Sequence, residues 1–371
     1  MRILILNWRD FKDPRAGGAE VLTQEVAKRL VSLGHQVEQH NASYPGALRQ
    51  ETIDGVNFTR HGNYLTTYIY SFLYAFLHHR KFDVIVEEVH GVPYFSVFFV
   101  PSKIVVLACE VAKNHWSLTY PFPIDKIGRL LEKLYFNLYK KTPFLTISPS
   151  SRNELVKEGI KKQMITVIPM GLNATFPAVL PAKEKTPTIV FLGRLVPIKG
   201  IEDAIRAAYL ISKKLPNMKL WIIGAGELSY QKKLEELVKS LGIEKLVVFW
   251  GFVSEAQKFD LLAKAHVLLV PSKNEGWGLI VPEAGIVGTP AVVYDVNGLR
   301  DIVQSQKTGI IASSNDPEGL ADGALRLLGE KDKYKIIRQH LLDFAKGFTW
   351  EETTKTSLEV FAKVASPKSS L

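Results

Sequence analysis

The sequence predicts an α/β protein of two domains, each built on a parallel sheet with helices on both faces. The chain has 371 residues, more than a single hydrophobic core ordinarily organises. Short apolar runs at 189–192, 219–223, 247–250, 267–270 and 291–293 alternate with helical patterns. Strands separated in this way form parallel sheets buried on both sides. Residues 173–187 hold three prolines and no apolar periodicity, which marks a linker. The expected domains are therefore 1–172 and 188–349, with a last helix at about 350–365.

The first half is less regular. A strand at 3–6 leads through a loop into a helix at 19–33, where Leu22, Val26, Ala27 and Leu30 share one face. Gly34 stops that helix. Strands follow at 37–39 and 56–60. Segment 64–79 is apolar nearly all round, with Tyr68, Phe72, Ala75 and Phe76 in phase, and reads as a buried helix. A strand at 83–89 carries Glu87 and Glu88 near its end, with His90 just beyond. The next, at 104–109, ends in Cys109 and Glu110. A strand at 144–148, a helix at 151–158 and a strand from 165 close the half.

Composition narrows the class. The chain is 46% hydrophobic and 23% charged, ordinary for a globular protein. A lone cysteine, Cys109, excludes an intramolecular disulfide and fits a reducing, cytoplasmic setting. The apolar start at 1–7 is too short for a signal peptide and reads as a first strand. No run is long and apolar enough to span a membrane. The net charge is +10, and 126–162 holds nine Lys/Arg against three Glu. Tyr135, Phe136 and Tyr139 are interleaved there, with Trp116, Tyr120 and Phe122 just before. One reading is a pair of helices with aromatics in the core and solvated lysines. The other is a peripheral contact with an anionic membrane surface, on its inner face. Nucleic acid is not expected, because no recognised module accompanies the charge.

Two stretches carry chemistry. Glu275-Gly276-Trp277-Gly278-Leu279-Ile280-Val281-Pro282-Glu283-Ala284 follows the apolar run 265–270. It reads as a strand, a glycine turn and a helix start, with Pro282 in the first turn. Helix N-termini offer N–H groups and a positive dipole end to phosphate, and carboxylates suit sugar hydroxyls. The run 189–192 enters a second glycine turn, Gly193-Arg194-Leu195-Val196-Pro197-Ile198-Lys199-Gly200. This places Arg194 and Lys199 at a strand's carboxyl end, where open α/β sheets bind ligands. Paired cations there suit a diphosphate and would stabilise a departing phosphate.

Together these two stretches resemble the donor-binding signature of the GT-B glycosyltransferases, specifically retaining family 4, and the resemblance extends from Met1 to about Lys363. It implies two Rossmann-like domains with parallel sheets facing across a cleft, and a last helix that crosses back to the first domain. It implies a UDP- or GDP-sugar as donor, with no cofactor and no metal. The diphosphate would lie against Arg194, Lys199 and the N–H groups around Gly276, Gly278 and Leu279. Glu283 resembles the ribose-hydroxyl ligand and Glu275 the carboxylate on the sugar, so Arg194, Lys199 and Glu275 form the expected catalytic set. Gly17 and Gly18 resemble a glycine loop opposite the donor phosphates, and Val253 a residue near the nucleobase. The acceptor would be a glycan, a lipid-linked sugar or a small molecule.

One departure stands out. Relatives commonly carry a histidine at the end of the strand matching 104–109. Here Cys109 and Glu110 stand there, the next histidine is His115, and His90 is a further candidate. Three other readings stay open: a non-hydrolysing nucleotide-sugar epimerase, an inactive binding protein of the same fold, and a basic nucleic-acid binder. A glycoside hydrolase built on two carboxylates has no use for the paired cations.

Overall fold

In the computed structural model the chain forms two compact units, Met1–Gly171 with Thr349–Leu371, and Leu172–Phe348. All residues are described except 113–115, 117–120, 174 and 367–371. His115 and Tyr120, singled out above, lie outside the described residues. The proline-bearing segment 173–187 belongs to the second unit.

The first unit's strands are β1 (Arg2–Leu6), β2 (Gln36–Asn41), β3 (Gln50–Ile53), β4 (Val56–Arg60), β5 (Val84–Glu88), β6 (Ile104–Leu107), β7 (Phe144–Thr146) and β8 (Ile165–Val167). They pair in the order β3-β4-β2-β1-β5-β6-β7-β8. Every pairing is parallel except β3 with β4. That hairpin turns at Asp54 and Gly55, both at positive φ, the conformation an Asp-Gly pair favours in a two-residue hairpin loop. Its helices are α1 (Gly18–Ser32), α2 (Thr67–His78), α3 (Ile124–Leu138) and α4 (Pro149–Lys157).

The second unit alternates through β9 (Thr188–Leu192), α5 (Ile201–Ser212), β10 (Lys219–Ile223), α6 (Leu228–Ser240), β11 (Val247–Gly251), α7 (Glu255–Lys264), β12 (Val267–Val270), α8 (Ile280–Ile286), β13 (Ala291–Val293), α9 (Leu299–Ile302) and β14 (Gly309–Ile311), then ends in two successive helices, α10 (Pro317–Gly329) and α11 (Lys331–Ala345). The order is β11-β10-β9-β12-β13-β14, all parallel. Successive strands therefore step outward from β9 on one side, and the chain returns to β9's other side at β12. This is the switch point at which such sheets bind ligands. The final helix, α12 (Trp350–Ala365), belongs to the first unit and packs along α1.

One helix of the first unit departs from expectation, and a second adds an exposed apolar row to it. Segment 64–79 is not a buried helix. Only Thr67, Ser71 and Ala75 of α2 are buried, while Ile69, Tyr70, Leu73, Phe76 and Leu77 are exposed. The reason is spacing. Small residues four apart form a flat stripe that lets the helix lie close on β2, and Ser71 Oγ meets His40 Nδ1 at 2.7 Å. Those five large side chains are left exposed, while Tyr68, Phe72 and Tyr74 are half-buried. In α3 the aromatics Tyr135 and Phe136 are buried, as is Tyr139 just past its end. Yet Ile124, Ile127, Leu130, Leu131, Leu134 and Leu138 are exposed, beside exposed Lys126 and Lys133.

Candidate functional site

The two glycine turns of the second unit meet because β9 and β12 are neighbours whose carboxyl ends lie side by side. Lys273 N–H donates to Ile198 C=O at 2.9 Å, tying one turn to the other. Gly200, at φ +68, is where they touch: a Cβ there would fall 2.0 Å from the Pro271 carbonyl oxygen. Only glycine fits both the conformation and the approach. With the turns locked together, Lys199 Nζ donates to Glu275 Oε2 at 2.6 Å, both side chains partly exposed. Arg194, in the same β9 turn, is exposed and makes no ion pair among the described residues.

The turn after β12 enters α8 through Gly278, at φ +82, where a Cβ would lie 2.6 Å from Leu299. Trp277 is buried and packs edge-on against Phe348 at 5.0 Å, fixing the loop from beneath. Gly276 and Leu279 are half-buried, and Leu279 caps α8. Glu283, in the first turn of α8, pairs with Lys258 Nζ at 2.9 Å.

Lys258 was not singled out in the sequence. It is buried, reached from α7, and also contacts Glu255 at 2.9 Å. A signal was present: Lys258 stands three and four residues before Leu261 and Leu262, on the face of α7 that packs inward. Burial pulls the Lys258 ammonium down, but Glu283 and Glu255 more than offset that and hold it above its ordinary value. Burial pushes the Glu283 carboxyl up despite Lys258. Val253 is half-buried in the turn that leads into α7. One sheet edge thus carries two lysine–carboxylate pairs and a free guanidinium. The partly exposed Lys199–Glu275 pair is worth roughly 0–1 kcal/mol, so an incoming diphosphate can compete for it, whereas the Lys258–Glu283 pair is more deeply buried.

The carboxyl edge of the first sheet is organised differently. Gly17 and Gly18 are exposed at the start of α1, and Gly17 N–H donates to Glu20 Oε2 at 2.7 Å. Glu20 also accepts from Arg9 Nε at 3.0 Å. Neighbouring residues in β5 point to opposite faces, so Glu87 and Glu88 enter separate networks. Glu87 accepts from the N–H groups of Tyr94 (3.1 Å) and Ser96 (2.7 Å) and from the Tyr139 hydroxyl (2.7 Å). Glu88 accepts from Asn7 Nδ2 (2.6 Å), Thr23 Oγ1 (2.5 Å) and His90 Nε2 (2.8 Å). Burial pushes both carboxyls up. Cys109 is buried, its carbonyl accepts from Ser151 Oγ at 2.8 Å, and burial pushes its thiol up. Glu110 and His90 keep partial exposure. Among the described residues, no group of three or more His, Cys, Asp or Glu is gathered to hold a metal.

The chain is similar to known glycosyltransferases over most of its length. The model of the group 1 glycosyl transferases matches 173–340, and that of glycosyltransferase family 4 matches 16–176. An uncharacterised glycosyltransferase of Methanocaldococcus jannaschii is 26% identical over 97% of this chain and 98% of its own. A D-inositol 3-phosphate glycosyltransferase of Corynebacterium urealyticum is 31% identical, but the match spans 47% of this chain and 42% of that one. Among solved structures, the sucrose-phosphate synthase of Thermosynechococcus elongatus superposes with a TM-score of 0.80 at 17% identity, covering 98% of both chains. Anabaena HepE in complex with UDP-glucose gives 0.74 at 17% identity, covering 99% of this chain and 100% of that one.

Proposed function

Since this chain belongs to the group 1 glycosyltransferases, as a GT-B enzyme of family 4, we propose that it moves a sugar from a nucleotide diphosphate-sugar to an acceptor hydroxyl with retention of configuration. The observation that carries this is the meeting of Lys199 and Glu275 at 2.6 Å, with exposed Arg194 in the same turn as Lys199. Arg194 and Lys199 would bind the diphosphate and hold its charge as it leaves, with no metal ion required. Glu283 would take the ribose hydroxyls and Glu275 the hydroxyls of the sugar. The acceptor oxygen would bond to the anomeric carbon as the bond to phosphate breaks, and the hydroxyl proton would pass to the departing phosphate. UDP is the first donor base to try, because the structural neighbour from Anabaena is a UDP-glucose complex. GDP is the second.

The test is thermal stabilisation by a panel of nucleotides and nucleotide-sugars, since a ligand that binds only the folded state raises Tm. One diphosphate should stabilise the native protein, and Arg194→Ala and Glu283→Ala should each lose the shift. If no nucleotide shifts the native protein, the transferase reading falls and a binding protein of this fold takes its place.

The acceptor side carries a second element of the proposal: α2 and α3 rest on an anionic membrane, and the acceptor is lipid-linked. Tyr68 of α2 and Tyr135 of α3 pack into one hydrophobic core, and these two helices carry the exposed rows Ile69, Leu73, Leu77 and Ile127, Leu131, Leu134. Exposed Lys126, Lys133, Lys140 and Lys141 border the second row, giving the pairing of apolar face and basic rim that suits anionic headgroups. Among the described residues no helix is long and apolar enough to cross a membrane, so the contact would be peripheral. Flotation with vesicles of phosphatidylcholine alone or mixed with phosphatidylglycerol tests it. Binding to the mixed vesicles only, lost in Leu131→Gln/Leu134→Gln, is expected. Failure to float with either, or self-association of the protein through these rows, would remove the membrane from the proposal.

A further inference from the structure

We infer that His90, held by Glu88, is the first unit's ligand for a hydroxyl of the acceptor, with Nδ1 as the accepting atom. This rests on the transferase reading and adds a residue to it. The argument begins with Glu88, which is 1% exposed. A buried carboxylate is tolerated only when hydrogen-bonded, and Asn7 and Thr23 already give Glu88 two donors on Oε2. The remaining oxygen, Oε1, accepts from His90 Nε2 at 2.8 Å. Since a carboxylate only accepts, Nε2 carries the proton and the neutral ring presents Nδ1 as an acceptor. A carboxylate–imidazole pair anchored behind by other donors is how proteins fix a histidine's tautomer and aim its second nitrogen.

That second nitrogen is available. His90 keeps 18% of its side chain exposed, and among the described residues Nδ1 has no hydrogen-bond partner. The Trp8 ring, 5.7 Å away centroid to centroid, flanks the imidazole. The position is the carboxyl edge of the sheet, between Asn7 beyond β1 and Cys109 beyond β6. The other described candidates on this edge are committed. Cys109 is buried, Glu20 holds Gly17 N–H and Arg9, and Glu110 makes contacts of its own. His40 of β2 is buried with Nδ1 engaged by Ser71. Among the described residues of this edge, His90 is thus the imidazole that can receive a hydroxyl.

The charges facing His90 are Glu88 at the end of β5, Glu20 from α1 (itself paired with Arg9) and Glu110 beyond β6. Burial pulls the imidazole down, and these carboxylates more than offset it, so His90 protonates above its ordinary range. Protonation turns Nδ1 from acceptor into donor. Hydroxyl capture therefore belongs to the deprotonated ring and fades as pH falls. No bond is made or broken at His90.

Nitrogen NMR of the histidine rings, with His90 assigned by the signal missing in His90→Ala, reads this directly. At about pH 8.5, above a histidine's usual range, the ring should be the Nε2–H tautomer. Titration with glucose, N-acetylglucosamine, myo-inositol and octyl glucoside should shift Nδ1 with at least one of them. The shift should vanish at about pH 6, where the raised ring is protonated, and Glu88→Gln should move the ring's titration downward. A ring found as the Nδ1–H tautomer overturns the inference, and so does an Nδ1 that no probe perturbs at high pH. Nucleotide stabilisation is measured on the same sample. Its absence overturns the transferase reading and this inference together, whereas its presence with a silent Nδ1 overturns this inference alone.

Discussion

The carboxyl edges of the two sheets solve the problem of acidic side chains in opposite ways. On the second, Glu275 and Glu283 face lysines and stay partly open to solvent. On the first, Glu87 and Glu88 are sealed in and satisfied by hydroxyl, amide, imidazole and backbone donors. A partly exposed ion pair such as Lys199–Glu275 is a weak and exchangeable contact. A buried carboxylate with three donors is a fixed scaffold, costly to disturb because each lost donor leaves buried charge unpaired. The second edge is therefore built to trade partners with a ligand, and the first to hold its own residues still. Perturbing each should give different symptoms.

The largest effect is expected on the exchangeable edge. Lys199→Ala removes a cation from the departing phosphate and should cut the transfer rate by about 10²–10³, the scale for losing one preorganised charge-stabilising donor. Because the Lys199–Glu275 pair is partly exposed, Tm should barely change. Steady-state kinetics beside a melting curve separates the two, and a large fall in Tm would mean that the pair is scaffold after all.

Acid should act next, and on both units. His40 in the first and His266 in the second are each pulled down to about 4, chiefly by burial, helped by His61 in one case and by Lys183 and Arg338 in the other. A histidine depressed when folded binds its proton in the unfolded state first. Its stabilisation is therefore complete above the ordinary 6.5 and is lost as pH falls toward about 4. For fully buried His40 that gap corresponds to roughly 3 kcal/mol at most. Urea denaturation at about pH 7 and about pH 5 should show both units weakening. His40→Gln should flatten the dependence of the first unit only.

This contrast also governed what could be read from the chain. The second unit was legible because each strand is a short apolar run and each motif turn carries its own glycines, so Arg194, Lys199, Glu275 and Glu283 announce themselves in sequence. Lys258 did not, since a buried lysine resembles a solvated one until its phase with Leu261 and Leu262 is checked. The short strand β14 was missed at the sheet's end. In the first unit β3 escaped although Asp54-Gly55 between alternating residues is a strong hairpin signal. Segment 64–79 misled because uniform apolarity implies burial on all sides. The burial was decided instead by the small residues Thr67, Ser71 and Ala75. The Glu88–His90 pair depends on Asn7 and Thr23, distant in sequence, and no local pattern could assemble it.

Backbone strain gives a smaller expected effect. Gly278 sits at φ +82 with Leu299 only 2.6 Å from where a Cβ would be. Gly278→Ala should cost about 1–3 kcal/mol and lower Tm, with nucleotide affinity falling in step because the same turn positions Glu275 and the start of α8. A variant that melts like the native protein yet loses nucleotide would show the turn adapting at the site's expense.

The smallest effect concerns the first unit's outward leucines. Leu131 is 54% exposed, whereas Phe136 on the same helix is 1% exposed. Phe136→Ala should cost about 3–5 kcal/mol, the scale for emptying a core aromatic position. Leu131→Gln should fall within about 0.5 kcal/mol, as surface substitutions do. Thermal or urea denaturation in the absence of lipid makes the comparison. A near-zero cost at Leu131 would mean that the apolar row of α3 does nothing for folding, leaving its chemistry to be accounted for by what it touches outside the chain. A cost approaching that of Phe136 would instead place Leu131 in the protein's own packing and take away the basis for a membrane-facing row.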